Sequence, residues 1–208
     1  MRRGLLTCLV LLALCTTGVA CAARTTPVTP APASPGDVGV TPTTPLNPSN
    51  PPGGAPIATG FRVGDSALLL WFSHLGLDDG WYDTRTGHRV DGPQHTMGWF
   101  PTEPAADCFQ GLFEMSLPDG DLLDIGWLTG PASAVVMTQG TTAVSAAIAR
   151  WAPDPRTVAF WIRRHGRSLT AQDTTLTPDI PIFTAIDEHG ARLCRQAFTP
   201  PDTHRKDG

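Results

Sequence analysis

Lysine is almost absent from this chain of 208 residues, which contains it only at Lys206. Its 15 basic residues stand against 19 acidic ones, so the formal net charge is -4. A chain without a surplus of positive charge lacks the electrostatic footprint that binding to a phosphate backbone requires. We therefore expect no nucleic-acid partner.

Long apolar runs are also missing, since no segment has the roughly 20 apolar residues that a membrane-spanning helix needs. A shorter apolar stretch, Gly4–Cys15, follows Arg2 and Arg3. A positively charged start, a short apolar run and then small residues are typical of a secretory signal. We predict that residues 1–20 are a signal peptide and that the protein is exported.

The sequence motifs that most often reveal an enzyme do not occur. There is no Gly-x-Ser-x-Gly elbow, no Ser-x-x-Lys pair and no glycine-rich phosphate loop. The histidines are scattered, and their spacing matches none of the compact ligand pairs of zinc sites. We assign no catalytic, cofactor-binding or metal-binding residue and expect no cofactor.

One group of residues keeps an enzyme open as the alternative function. His74, Asp78, Asp79, His88 and His95 bring imidazoles and carboxylates into one part of the chain. Such groups can bind a metal, although adjacent acids before a glycine are more often a solvated turn. The alternative is an extracytoplasmic hydrolase, with metal dependence left open. Convergence of these side chains in one pocket would favour it.

The residues after the apolar run, Gly18-Val19-Ala20-Cys21, resemble the lipobox of bacterial lipoproteins. In that family the cysteine carries lipid on its thiol and becomes the N-terminus after cleavage. The resemblance implies lipidation of Cys21 and attachment to the extracytoplasmic face of the cell membrane. Gly18 departs from the usual aliphatic residue, so cleavage after Ala22 to give a secreted protein is the alternative.

Composition divides the rest of the chain into three parts. Residues 21–56 contain ten Pro and six Thr and few large apolar side chains, so they bury too little surface to offset the entropy cost of ordering. We predict a disordered linker that spans on the order of 100 Å when extended as polyproline II. Residues 57–199 hold all Trp, Tyr and Phe residues and form the predicted globular domain. Residues 200–208 are a polar tail, predicted to be disordered.

Hydrophobic periodicity within the domain is mainly two, which predicts strands. Val158, Phe160 and Ile162 alternate on one strand, and two alternating runs flank the turn Pro118-Asp119-Gly120 as a hairpin. Residues 182–198 predict a second hairpin, whereas residues 143–148 suit either a strand or a short helix. The predicted fold is mainly β, a single antiparallel β-sandwich or barrel-like domain.

This arrangement is similar to the immunoglobulin-like and related small β-sandwich domains of secreted and lipid-anchored proteins in high-GC Gram-positive bacteria. The charged turn and strand start Asp187–Leu193 is the closest match. The resemblance implies the architecture and no functional residue. Cys108 departs from the immunoglobulin pattern, because the next tryptophan is Trp127 and the next cysteine, Cys194, is 86 positions later.

Cysteine usage predicts one disulfide. Cys8 and Cys15 lie in the signal peptide, and lipid on Cys21 leaves Cys108 and Cys194 as a pair. The other interpretation is that one of these two cysteines is a nucleophile and the second has no role. Export of the domain favours a disulfide instead. Both cysteines lie on the more polar face of their strands, so we expect the bridge on the outer side or at an edge of a sheet.

Charge is distributed unevenly along the domain. Six acids and no base lie between residues 103 and 124, whereas five arginines lie between residues 150 and 167. The simpler interpretation is two solvated surfaces of opposite sign. The sharper one is a hairpin tip that contacts anionic cell-wall polymer or lipid headgroups through an outward-facing Trp161 with Arg163, Arg164 and Arg167.

Together these features predict an exported, lipid-anchored cell-envelope protein whose β-domain has a binding or structural role without catalysis. The predicted partners are the membrane, through the lipid anchor, and cell-wall polymer or another envelope protein.

Overall fold

A computed structural model describes residues 40–43, 51–93, 108–166 and 180–198, and the backbone of residues 95–99. Regular structure in these ranges consists of β-strands without a helix, so the mainly β prediction is confirmed. No helix long and apolar enough to cross a membrane occurs among these residues. The strands are β1 (Ile57–Val63), β2 (Ser66–Ser73), β3 (Gly76–Asp83), β4 (Arg89–Val90), β5 (His95–Trp99), β6 (Phe109–Ser116), β7 (Leu122–Thr129), β8 (Ala134–Gln139), β9 (Thr142–Ser145), β10 (Ala147–Trp151), β11 (Asp154–Arg164), β12 (Ile182–Ile186) and β13 (Arg192–Ala197).

The strands pair in three antiparallel sheets. The first sheet has the order β1-β2-β3-β4, and the third has the order β13-β12-β8-β9. The central sheet has five strands in the order β10-β11-β7-β6-β5. Strands far apart in sequence therefore become neighbours only in the central and third sheets, while the first sheet pairs consecutive strands.

The hairpin predicted around Asp119-Gly120 is confirmed as β6 and β7. Leu117 N donates to Asp121 O over 2.8 Å and closes the turn. Gly120 has φ +87°, a conformation that glycine adopts without a steric penalty. The pairing brings Met115 opposite Leu123 and Phe113 opposite Ile125.

One face of the central sheet packs against the third sheet. Phe109 and Phe160 meet edge to face with ring centroids 5.4 Å apart, and Phe183 of β12 lies 5.8 Å from Phe160. Burying each such side chain contributes roughly 1.5–3 kcal/mol. The other large buried residues of this layer are Leu112, Leu128, Val135, Met137, Val158, Ile162 and Phe198.

The opposite face of the central sheet packs against the first sheet. Leu68, Leu70 and Phe72 of β2 belong to the same buried cluster as Ile125 of β7 and Trp161 of β11. Because both faces of the central sheet are covered, β11 is buried at every position from Val158 to Ile162. A strand with two buried faces shows a continuous apolar run rather than strict alternation.

Residues 143–148, which suit either a strand or a short helix by sequence, contribute to two different strands. β9 ends at Ser145 and β10 begins at Ala147, with β9 in the third sheet and β10 in the central one. Between them Ala146 N donates to Val135 O over 2.8 Å. The helix alternative is therefore wrong, because each half of the segment finds a different sheet to pair with.

The predicted disulfide between Cys108 and Cys194 is present, with Cα atoms 5.7 Å apart. It links the residue just before β6 of the central sheet to β13, which is an edge strand of the third sheet. Cys108 is only 9% exposed and belongs to the core between those sheets. The edge position is thus correct for Cys194, whereas the expectation of an outer position is wrong for Cys108.

Part of the predicted linker contacts the domain. β1 begins at Ile57, but Gly53 N already donates to Phe72 O over 2.8 Å. Gly53 and Gly54 lie against the Trp151 ring so closely that a Cβ on either would be 2.9 Å from it. Further upstream, Thr43 N donates to Gly87 O over 2.9 Å.

The disulfide closes 86 residues, so its removal should lower stability substantially. We expect the Cys108→Ser/Cys194→Ser variant to lose about 4–5 kcal/mol of unfolding free energy, because the unfolded chain regains loop entropy. Urea unfolding followed by circular dichroism measures the loss. Reductant should destabilise the wild type and leave the variant unchanged. Two free thiols in the unreduced wild-type domain by intact mass would contradict the bridge.

Candidate functional site

The acidic and arginine-rich stretches of the sequence meet where β6 ends, β7 begins and β11 ends. Antiparallel pairing places Glu114 opposite Asp124, and Asp124 opposite Ile162. Residues directly opposite each other share a face, and so do residues two apart on one strand. Arg164 therefore lies on the same face as both acids.

Arg164 is buried between these two carboxylates. Its Nε donates to Asp124 Oδ2 over 2.7 Å, and its Nη2 donates to Glu114 Oε2. The three residues are between 0 and 4% exposed. Charges removed from water to this extent persist only when they are paired. We call Glu114, Asp124 and Arg164 the buried ion cluster.

The buried ion cluster has one positive group for two acids. Burial raises the pKa of Asp124 to about 6, against the opposing attraction of Arg164, and the nearby Glu114 charge raises it further. Among the described residues, Glu114 Oε1, Asp124 Oδ1 and Arg164 Nη1 have no hydrogen-bond partner. Protonation of Asp124 would balance the charge of the cluster, so its ionisation is linked to the stability of the sheet.

A second, more exposed group of ion pairs lies beside the buried cluster. Arg163 Nη2 contacts Asp119 Oδ2 at 2.5 Å, and its Nε contacts Asp121 Oδ2 at 2.6 Å. His165 Nδ1 lies 2.5 Å from the other oxygen of Asp121. The hydrogen bond from Arg163 is the main cause that lowers the pKa of the Asp121 carboxyl. The β6–β7 turn is thereby tied to the end of β11.

These positions correct the predicted anionic-surface contact. Trp161 is fully buried and its Nε1 donates to Thr59 O over 3.0 Å, so the expectation that it faces outward is wrong. Arg164 is buried as well, and Arg163 uses its donors on two carboxylates. Arg167 lies outside the described residues. The physical reason is that strand pairing joins the two oppositely charged stretches instead of presenting each to solvent.

The His and Asp residues considered for a hydrolase occupy several places on the first sheet. His74 is exposed at the β2–β3 turn, and His88 is exposed beyond β3. Asp78 and Asp79 are consecutive on β3, opposite Trp71 and Leu70, and therefore point to different faces. The side chain of His95 lies outside the described set. Within that set, no three His, Cys, Asp or Glu side chains form a metal-sized group.

An open cavity of about 330 Å³ lies between the first sheet and the end of β6. It is lined by apolar and neutral polar groups together with one acid, including Trp81, Asp91, Pro93, Ser116 and Pro118. The described residues around it supply no arginine, lysine or histidine. The cavity suits an uncharged group better than an anion.

The comparisons with known proteins give no relative, since no family model, curated protein or solved structure matches the chain. The proposed lipidation residue, Cys21, lies outside the described residues. The sequence contained one usable signal for the ion clusters, which was the complementary sign of the two stretches. The missing information was that β11, besides pairing with its sequence neighbour β10, also pairs with the distant strand β7.

Removing the charge of Arg164 should lower the free energy of unfolding far more than removing the charge of Arg163. We expect Arg164→Ala to lose about 3–5 kcal/mol of unfolding free energy, because two buried carboxylates are left without a cation. Arg163→Ala is the matched control, and the loss there should be about 1 kcal/mol or less because that pair is partly solvated. Denaturant unfolding of both variants measures the difference. Equal losses would contradict the burial of the cluster.

The buried ion cluster also predicts a pH dependence. A carboxyl whose pKa is raised in the folded state destabilises the fold above that pKa, and the penalty disappears as the pH falls from about 6 toward 3.8. We expect the unfolding free energy of the wild type, relative to Asp124→Asn, to rise by about 1 kcal/mol from pH 7 to pH 5. Asp119→Asn, which alters an exposed pair, should keep the wild-type pH dependence. A wild-type and Asp124→Asn difference that is constant with pH would contradict the assignment.

Proposed function

We propose that this chain is an exported, lipid-anchored cell-envelope protein whose β-domain binds a partner or supports a structure without catalysing a reaction. The observation that carries the proposal is the bridge between Cys108 and Cys194. Disulfides that hold domains together belong to oxidising compartments outside the cytoplasm. The bridge also leaves Cys21 as the one cysteine between the predicted signal peptide and the C-terminus without a disulfide partner.

The burial of Glu114 and Asp124, the second of which has a raised pKa, supports a role without catalysis. A raised carboxyl pKa often marks a catalytic acid, but a catalytic acid has to reach its substrate. Asp124 is fully buried and Glu114 is 1% exposed, and both contact Arg164. These groups fit a structural ion cluster that fixes the register of β6, β7 and β11.

The choice of partner follows from the pairing of the arginines. Arg163 and Arg164 are bound to acids of their own chain, so they leave little free positive charge for an anionic polymer. The open cavity beside Trp81 has no basic lining either. We therefore favour another envelope protein over anionic cell-wall polymer as the partner, with the membrane bound through the lipid.

The anchor is tested by replacing Cys21. We expect Cys21→Ala to abolish labelling by a palmitate analogue and to release the protein from the membrane fraction, because the thiol is the attachment point. The Cys108→Ser/Cys194→Ser variant is the control and should still be labelled. Gel fluorescence and fractionation of the expressing cells measure both effects. Unchanged labelling and unchanged membrane fractionation of Cys21→Ala would contradict attachment through Cys21, whereas an unlabelled wild type found in the medium would favour the secreted alternative.

The partner class is tested by retention on isolated cell wall and on anionic vesicles. With protein partners stripped from the wall, we expect little retention, and Arg163→Ala should not change it. Salt-sensitive retention that falls in Arg163→Ala and Arg167→Ala would favour the anionic ligand instead. Trp161 does not enter this test because its ring is buried.

A further inference from the structure

The first sheet carries a second apolar surface on the face that points away from the central sheet. Ala67, Leu69, Trp71 and Tyr82 form a buried cluster there, which we call the outer aromatic face. The Trp71 and Tyr82 rings meet edge to face with centroids 6.5 Å apart. Both residues are 1% exposed or less, although no other sheet of the described structure packs on this side. Something outside the sheets has to cover them.

Part of that cover comes from the predicted linker. Val40 packs against the outer aromatic face, and so does Ala58 of β1. Val40 begins the described segment Val40–Thr43, which we call the strap. The strap has the sequence Val-Thr-Pro-Thr, and proline holds its backbone in an extended conformation before it binds. Extended proline-containing segments characteristically bind surfaces rich in aromatic rings.

Thr43 fixes the other end of the strap to the loop between β3 and β4. Its backbone N donates to Gly87 O over 2.9 Å, and its Oγ1 donates to Thr86 O over 3.0 Å. The same hydroxyl lies 3.4 Å from His88 Nδ1. One residue of the strap therefore contacts three consecutive loop residues.

The loop that receives Thr43 is held in shape by its own hydrogen bonds. Asp83 Oδ1 accepts from the backbone N of Arg85 and from both the backbone N and the hydroxyl of Thr86, at 2.8–3.0 Å. These bonds lower the pKa of the Asp83 carboxyl, mainly through the Thr86 backbone. Gly87 N donates to Asp83 O over 2.8 Å. A loop fixed in this way loses little entropy when a peptide binds.

Gly87 gives the strap room to approach. It has φ +71°, and a Cβ at this position would lie 2.3 Å from Thr41 O and 3.1 Å from Thr43 N. Any side chain would therefore collide with the backbone of the strap. Gly64 has a similar φ of +59°, but no atom lies within 4 Å of where its Cβ would be. The two glycines share a conformational constraint, and only Gly87 adds a contact with the strap.

We propose that the outer aromatic face and the 83–88 loop form a binding site for a Thr-Pro peptide, occupied by the strap of the same chain. The linker then has a docked, short state and a released, long state. Gly53 contacts the domain whether or not the strap is docked, so residues 22–52 set the released length and would span about 96 Å as polyproline II, whereas the 18 residues 22–39 ahead of the strap would span about 56 Å. The inference goes beyond the proposed function and holds whether or not Cys21 is lipidated.

The linker itself contains a natural test of specificity. Val-Thr-Pro occurs twice, at Val28–Pro30 and at Val40–Pro42. The residue after the first copy is Ala31, which has no hydroxyl, and the residue after the second copy is Thr43. Since the Thr43 hydroxyl binds Thr86 O, the second copy should be the preferred occupant. Both copies can supply a backbone N–H at the fourth position, but only the second supplies a hydroxyl. A preference for the second copy therefore tests the hydrogen bond of the Thr43 side chain separately from that of its backbone.

Amide hydrogen exchange in the full exported chain tests the docked state. We expect the Thr43 amide to be protected at least about tenfold over an unstructured amide, because it donates to Gly87 O. Gly87→Ala should remove this protection, and Gly64→Ala should keep it despite equal backbone strain. Thr43→Pro removes the donor without changing the domain, and it should expose the indole N–H of Trp71 to faster exchange. Thr43→Val should weaken protection by only a few-fold.

A synthetic peptide of residues 38–45 tests the site from the other side. It should bind the full-length Val40→Asp chain at least about tenfold more tightly than the wild type, whose own strap competes at high effective concentration. Shifts of the Trp71 indole and the Gly87 amide in NMR spectra report binding. A peptide with Ala in place of Thr43 should bind more weakly.

Four outcomes would overturn the proposal. The first is an unprotected Thr43 amide in the wild type, and the second is equal behaviour of Gly87→Ala and Gly64→Ala in chains that remain folded. The third is equal peptide affinity for the wild type and Val40→Asp, which would mean that the strap does not occupy the site. Protection of Thr43 that depends on protein concentration would assign the site to the strap of a second copy and so contradict docking within one chain.

Discussion

The central sheet is covered on both faces, and this constraint governs most of the domain. Away from the strand ends, a side chain on β6, β7 or β11 cannot turn to solvent by changing face, because each face meets another sheet. Polar residues in these strands must then find partners inside the structure. Arg164, Glu114 and Asp124 do so by ion pairing, and Trp161 does so through Thr59 O. The buried charged groups of the middle layer therefore pair with one another across β6, β7 and β11.

Close packing in that layer also explains its glycines. A Cβ on Gly111 would lie 2.0 Å from the Trp127 ring, which covers it across the strand pair. A Cβ on Gly126 would lie 2.6 Å from the Phe160 ring on the other face. Each glycine thus makes room for an aromatic ring of a neighbouring strand. The sheet can be thin at these points and still exclude water, because the rings occupy the space that side chains would take.

The sequence predicted local structure better than it predicted partners. Alternation in β6 and β7 and the turn at Gly120 depend on nearby residues, and the hairpin was found. The disulfide was predicted as well, because the signal peptide and the expected lipid on Cys21 left Cys108 and Cys194 as a single pair. The pairing of β11 with β7 joins residues that are 28 to 42 positions apart, and no pattern within either strand indicates which strand it pairs with. Trp161 was placed outward because strict alternation assumes one buried face, whereas β11 has two.

The disulfide has a mechanical consequence for a chain that is pulled at its two ends. A pulling force applied at the two chain ends would pass from Cys108 to Cys194 through the sulfur atoms and bypass the 86-residue interval between them. The strands β6 to β12 lie inside this bypassed interval, so they could lose their packing without lengthening the chain. Extension would come from β1 to β5 and the segment before them. The first sheet is therefore the part of the domain that can unfold and extend under tension. The part closed by the disulfide cannot extend, because Cys108 and Cys194 stay covalently joined.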